Sequence, residues 1–443
     1  MLKSIKLHGI GPVRDLSASF SERLNVITGD NGLGKSFLLD VCFWTLTGTW
    51  PGRRMALPDG NYKSPSISYD IQSKTKPASR EAKYDFKSQS WSRQRGRPPM
   101  PGLVIYAAVD GSFAVWDPAR NYWRDGRSSK DADEWPRAFQ FPPEASSEDD
   151  EVGTGTGTIR RDVANGLEEG GRVLCNGLIA DWSEWFYQRL SQPIPNPFEY
   201  LEEVVSFLSH PLEPIQCEEP RKVFLDDSRK FPTLRMPYGV VPYPHWSAGV
   251  KRVVNFAYLI VWAWVEHLQA AGLRKEPSTD RIILIVDEIE AHLHPKWQRT
   301  ILPAILRVVE KLHKNISVQV FAATHSPLVL ASVEPHFDAE KDQLFCFNFD
   351  TNKPAATMVS FDALPWAIHG DVVGWLTSDV FGLEQARSKE AEDAIEAAEA
   401  FLRGDTTKQP ALLTRKSAIT AELKRVLSGI DPFWPRWIVE SKE

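Results

Sequence analysis

The sequence predicts an α/β fold: a mixed-sheet core, an antiparallel β-layer beside it and an inserted helical lobe. Three observations predict it. Gly29-Asp30-Asn31-Gly32-Leu33-Gly34-Lys35-Ser36 stands between a strand-like run, Leu24-Asn25-Val26-Ile27, and a helix-like run, Phe37-Leu38-Leu39-Asp40-Val41. A continuous apolar run from Ile282 to Val286, after Arg281, ends in two acids, Asp287 and Glu288. A further run, Val318 to Ala323, delivers Thr324-His325-Ser326-Pro327. Unbroken β-branched runs are what strands buried on both faces of a parallel sheet require. In such sheets ligands bind beyond the carboxyl ends of the strands.

The first segment fits G-x-x-x-x-G-K-[ST], the phosphate-binding P-loop. Backbone N–H groups from Gly29, Asp30, Asn31, Gly32, Leu33 and Gly34 can close around a phosphate, and the helix N-terminus adds positive potential. Lys35 then neutralises the β- and γ-phosphates of ATP, and Ser36 offers its hydroxyl to Mg²⁺. In the second segment Asp287 takes the place of a Walker B residue in the Mg²⁺ shell. Glu288 is the candidate general base, because a carboxylate beside the γ-phosphate can deprotonate an attacking water.

The 443 residues carry a net charge of −6, so any DNA contact needs a local basic patch. Four scattered cysteines exclude a C-x-x-C zinc knuckle or disulfide framework and fit a reducing cytoplasm. No signal-peptide h-region is visible at the start, and the run Phe256 to Val265 is too short to span a bilayer. Sixteen tryptophans read mainly as core and interface anchors.

Taken in order, residues 2–10 and 16–27 read as strands leading into the P-loop. Residues 66–123 read as an antiparallel layer, with Asp110-Gly111 as a hairpin turn. Arg93, Arg95 and Arg97 lie in a basic, proline-rich loop and are the candidate DNA contacts. Residues 144–158 are acidic and then Gly/Thr-alternating, a composition that cannot pack a core. Helices are expected over 175–190 and 200–208, and the proline-rich 211–245 reads as irregular. These features divide the chain into an N-terminal lobe (1–135), an inserted helical lobe (136–245), a C-terminal lobe of the core (246–350) and a helical region (351–443). Ser247 and Gly249 open the long helix Val253–Leu268, so a second helix N-terminus can face an anion. His292 and His294 read as a loop after the acids rather than a metal site.

The order GDNGLGKS, WSAGVKR, IILIVDEIEAHLHP, AATHSP resembles the ABC-type ATPases of the RecF, SMC and OLD group, over about residues 1–50 and 240–335. The resemblance implies that Ser247 and Gly249 belong to a signature motif completing the active site of an opposite protomer. It implies that Glu290–Pro295 is a D-loop and His325 a switch histidine. It also implies a homodimer, or larger even oligomer, sandwiching ATP. A Q-loop glutamine near the metal is also implied; Gln140 is the choice over Gln188. The motif departs from the family in Trp246 before Ser247, in Arg252 near the common glutamine, and in having no obvious adenine-stacking aromatic. There is no long coiled coil as in SMC proteins and no D-x-D tail as in OLD nucleases. The remaining shape is similar to prokaryotic defence ATPases that work with a separately encoded effector, as the Septu-type ATPase does with an HNH nuclease. A RecF-like DNA repair clamp is the alternative, and a transporter subunit a third reading.

Overall fold

The computed structural model describes residues 1–52, 55–58, 62–72, 77–92, 100–121, 137–144, 161–189, 196–312, 316–349, 358–405 and 413–441. The chain forms two compact units, Met1–Ile368 and His369–Glu443. Arg93, Arg95 and Arg97, and nearly all of the acidic Gly/Thr segment, lie outside the described residues.

In the first unit, β1 (Leu2–His8) and β2 (Asp15–Ser19) pair antiparallel, with Ile5 opposite Ala18 and Leu7 opposite Leu16. The expected single run 16–27 is two strands in two sheets. Asn25 makes the break: its side chain accepts from the Ser21 N–H at 2.8 Å and donates to the Ser21 carbonyl at 3.0 Å, fixing the turn before β3 (Leu24–Gly29). Helix α1 (Lys35–Thr47) follows, apolar on almost every side and buried, as such a helix must be. β4 (Ser66–Gln72), β5 (Pro77–Asp85) and β6 (Ser90–Trp91) extend the hairpin into a five-stranded sheet, ordered β2-β1-β4-β5-β6.

β7 (Leu103–Ala107), β8 (Phe113–Trp116) and β9 (Phe139–Phe141) depart from the expected antiparallel layer. They join the main sheet, because β7 is buried throughout and pairs parallel with a strand nearly two hundred residues later. Next come the small sheet β10 (Arg161–Asp162), β11 (Gly166–Glu169), β12 (Arg172–Cys175), and helices α2 (Leu178–Gln188) and α3 (Pro197–Leu208). The stretch read as irregular is a second antiparallel sheet: β13 (Gln216–Lys222), β14 (Lys230–Met236), β15 (Gly239–Pro242). Its prolines misled the reading. Pro220 sits in the bulge between Glu218 and Arg221, and Pro232 lies opposite it, where a missing N–H breaks no ladder bond.

Helix α4 (Ala248–Arg274) is capped by Ser247 and is longer than expected. By length and composition it could cross a membrane, but it is mostly buried in the fold. Trp262 packs T-shaped against Phe139 and Phe141. β16 (Arg281–Val286), α5 (Pro295–Leu312), β17 (Ser317–Ala323), α6 (Pro327–Val333), β18 (Asp342–Phe349) and β19 (Val359–Leu364) complete the unit. β19 falls in the stretch assigned to the C-terminal helical region, yet it pairs with β18 in the core sheet.

That sheet runs β19-β18-β3-β17-β16-β7-β8-β9. Its inner strands β18, β3, β17, β16 and β7 are parallel, and antiparallel strands close both edges. One core spans both large sheets and α1, joining Leu7 and Ile67 to Leu38, Phe43, Ile285 and Phe321. The second unit holds α7 (Val372–Leu376), and α8 (Lys389–Arg403), α9 (Lys416–Val426) and α10 (Phe433–Glu440), the last three packed through Ile395, Ala398, Leu423 and Trp437. Helix α8 has Ser388 as its N-cap and a left-handed Gly404 at its C-terminus.

Candidate nucleotide site

Parallel pairing brings three carboxyl ends together. β17 lies between β3 and β16, so His325 emerges between the P-loop and Asp287-Glu288. Neighbouring strands are about 4.8 Å apart, which sets the P-loop strand about 10 Å from the acidic one.

Gly34 shows why the loop needs glycine. Its φ is 105° as the N-cap of α1, and a Cβ there would meet Pro12 Cγ at 2.5 Å. Lys35 is only 5 % exposed and donates to the carbonyls of Gly29 at 2.8 Å and Asp30 at 2.7 Å. Burial pulls its pKa down, opposed by Glu288, Asp287, Asp30 and Glu290. The ammonium is thus held in the mouth of the loop with donors directed at carbonyls that an anion would displace.

Asp287 is 1 % exposed, and burial raises its pKa against the hydrogen bond from the Ser36 hydroxyl. Its Oδ1 has no hydrogen-bond partner among the described residues. A buried carboxylate oxygen without a partner is costly unless something else satisfies it. Ser36 and Asp287 therefore fit the hard, oxygen-seeking Mg²⁺ ion, which is bound by one or two carboxylates and hydroxyls alongside phosphate.

Glu288 has φ +43°, a left-handed value uncommon outside glycine. Its Oε1 lies 3.6 Å from His325 Nε2. Burial first, and then the Lys35 charge, hold the His325 pKa below its ordinary value. Glu290 is the residue the sequence reading undervalued. Its carboxylate accepts from the Thr324 hydroxyl at 2.8 Å and the His325 N–H at 2.5 Å, tying the acidic turn to the histidine turn. An acid two residues after Glu288, together with the Thr-His pair, was the available signal.

Ser247 is exposed at the start of α4 and accepts from the Val250 N–H at 3.4 Å. Gly249 faces the turn after Glu288, where a Cβ would meet the His292 carbonyl at 2.5 Å. Gln140 stands apart from the rest. It lies on the edge strand β9, three strand spacings or about 14 Å from β16, and its amide donates to the Trp50 carbonyl at 2.6 Å. Gln188 lies on α2 and donates to Glu184 at 2.8 Å. His292 and His294 lie in the turn after Glu288, and the described residues contain no group of three or more His, Cys, Asp or Glu placed to hold a metal ion.

Asp40 adds a carboxyl that no motif marked. It accepts from the Tyr106 hydroxyl at 2.7 Å, and burial raises its pKa to about 6, with Asp287 and Asp110 adding to the rise. The folded pKa lies above the unfolded value, so the contribution of this group to stability is lost as pH rises from about 4 through 6. Asp40→Asn protein should then resist heat better than the parent above pH 7, by about 3 kcal/mol, and match it near pH 4. Melting curves of the nucleotide-free protein across that range check this; equal melting temperatures at pH 8 would contradict it.

A P-loop, an exposed Ser36 beside a buried Asp287, and a Glu288–His325 pair on one parallel sheet are the parts of an ABC-type P-loop ATPase site. A family model described as "AAA domain, putative AbiEii toxin, Type IV TA system" matches residues 221–331, and a second AAA-domain model matches residues 4–111. The chain is similar to Septu protein PtuA of Bacillus thuringiensis, 21% identical over 420 residues, covering 89% of this chain and 87% of that one. It is also similar to the Retron Vc95 probable ATPase of Vibrio cholerae serotype O1 biovar El Tor, 48% identical over 52 residues, 12% of this chain and 9% of its relative. Among solved structures, the SMC head domain from Thermotoga maritima aligns with a TM-score of 0.38 at 13% identity, covering 82% of this chain and 99% of that one. The recombination mediator RecF with ATP aligns with a TM-score of 0.36 at 13% identity, covering 82% and 97%.

Proposed function

We propose that this protein binds ATP with Mg²⁺, hydrolyses it, and uses the cycle to join two copies of itself around the nucleotide. The observation that carries the reading is the grouping of Lys35, Ser36, Asp287, Glu288 and His325 at adjacent strand ends. In this reading Lys35 holds the β- and γ-phosphates, and Ser36 and Asp287 hold the metal. Mg²⁺, when bound, supplies neutralisation of the charge shared by those phosphates. Glu288 takes the proton of the attacking water, and His325, on the next strand, fixes the position of the γ-phosphate. Gln140 is the proposed Q-loop residue, and its edge position would require β9 or the chain after it to move toward the nucleotide.

Ser247 and Gly249 form the surface offered to the nucleotide of the second copy. Support comes from the exposure of Ser247 at the cap of a long helix, where N–H groups and the helix dipole favour an anion. The similarity to PtuA over nearly the whole chain supports a further step. The dimer would act as a DNA-linked switch on a separately encoded effector, an HNH nuclease being the class proposed, in anti-phage defence.

The test is the solution mass of Glu288→Gln protein with and without Mg-ATP, by light scattering after size exclusion. The expected result is a doubling of mass with nucleotide that disappears in Glu288→Gln/Ser247→Arg protein. A mass indifferent to nucleotide would overturn the nucleotide-joined dimer.

A further inference from the structure

Arg252 stands one turn into α4, and its guanidinium donates to three backbone carbonyls on two other segments. These are Val109 at 2.9 Å, Asp287 at 2.7 Å and Glu288 at 3.2 Å. Asp287, Glu288, Glu290 and Asp110 all face it electrostatically. An arginine in such a place usually pairs with carboxylates; here its fork is directed at main chain. The fork geometry makes several carbonyls reachable at once, which an ammonium cannot match.

Two of these carbonyls, those of Asp287 and Glu288, belong to a strained turn. Glu288 has φ +43° and His292 φ +63°, two left-handed non-glycine residues within five positions. Such conformations cost free energy and persist only where the surroundings hold them. Both are held from the first turns of α4. Arg252 grips the carbonyl of Glu288, and Gly249 lets the helix backbone approach the His292 carbonyl so closely that a Cβ would be 2.5 Å away. One helix N-terminus therefore presents Ser247 outward and fixes the backbone of Glu288 inward.

We infer that Arg252 is a positioning residue for hydrolysis. It holds the strained backbone of Glu288, so that the carboxylate reaches the attacking water only when α4 is seated against the Asp287–His292 turn. The inference rests on the reading of Glu288 as general base. It gives the start of α4 two roles in one rigid piece: a contact offered to the second copy's nucleotide, and control of this copy's own base. Displacement of Ser247 then reaches Glu288 through about five residues of helix.

The experiment compares the parent protein with Arg252→Met and Arg252→Lys, reading kcat for Mg-ATP hydrolysis, affinity for a fluorescent ATP analogue, and melting temperature. The expected result for Arg252→Met is a kcat lowered tenfold or more, with nucleotide affinity within twofold and melting temperature kept. Arg252→Lys, retaining charge and one or two of the bonds, should recover part of the rate. Arg252→Met added to Glu288→Gln should slow hydrolysis no further than Glu288→Gln alone. Parent-like kcat in Arg252→Met overturns the inference and leaves the ATPase reading standing. Affinity and melting temperature falling together with kcat also overturn it, assigning Arg252 to general stability. Should Arg252→Met unfold, Arg252→Gln carries the same readouts with two donors and no charge. Absence of hydrolysis by the parent protein sinks the ATPase reading, and the inference with it.

Discussion

Glu288→Gln protein is expected to bind Mg-ATP as tightly as the parent and to hydrolyse it at least a hundredfold more slowly. The amide has nearly the shape of the carboxylate, so the turn at φ +43° and the Arg252 contact to its carbonyl remain. What the amide lacks is basicity, and general-base catalysis contributes typically 10²–10⁴-fold. His325 Nε2 lies 3.6 Å from the Glu288 carboxylate, and its backbone N–H is held by Glu290. Steady-state hydrolysis set beside nucleotide titration separates the two effects. Hydrolysis above a tenth of the parental rate would remove Glu288 from the role of base.

Lys35→Met protein should show the opposite division: nucleotide binding weakened by a hundredfold or more, with no loss of stability in the nucleotide-free protein. A charge-assisted bond is worth about 1.5–3 kcal/mol, and Lys35 would make such bonds to two phosphates, so about 3 kcal/mol or more of binding is at stake. In the empty protein Lys35 as a whole residue is 5 % exposed, and burial lowers its pKa. Replacing a buried charge with an apolar side chain of similar length is often neutral or stabilising. The loss of the bonds to the Gly29 and Asp30 carbonyls partly offsets that gain. Fluorescent-nucleotide titration and melting curves on the same preparation check both halves. Binding within tenfold of the parent would detach Lys35 from phosphate recognition.

Legibility in the sequence followed burial. Strands β3, β16 and β17 were readable because each is mainly apolar and buried on both faces, as a doubly covered parallel strand must be. Their adjacency was not readable; periodicity cannot show that β17 enters between β3 and β16. β7 looked like a hairpin strand because its local partner, β8, is antiparallel, while its other neighbour is β16. Pro220 and Pro232 hid the β13–β14 pair, since a bulge that excuses a proline is a tertiary fact. Within the site, Lys35, Ser36, Asp287 and Glu288 announced themselves by motif. Arg252 did not, because it acts on backbone carbonyls that carry no sequence signature, and the link from Glu290 to Thr324 and His325 joins two segments that are distant in sequence.

The strand order also governs how the protein is made. β3 is finished by residue 29, but its neighbours β17 and β18 begin at residues 317 and 342. At 5–20 residues per second, roughly 15 to 60 s of synthesis separate the P-loop strand from its first partner. Throughout that interval both edges of an apolar strand are unpaired, a condition that invites association with other chains. The hairpin β1–β2 and helix α1 can cover its faces but not its edges. Expression at lower temperature, with slower initiation and more chaperone per nascent chain, should therefore raise the soluble yield more for this topology than for a protein whose central strands are neighbours in sequence.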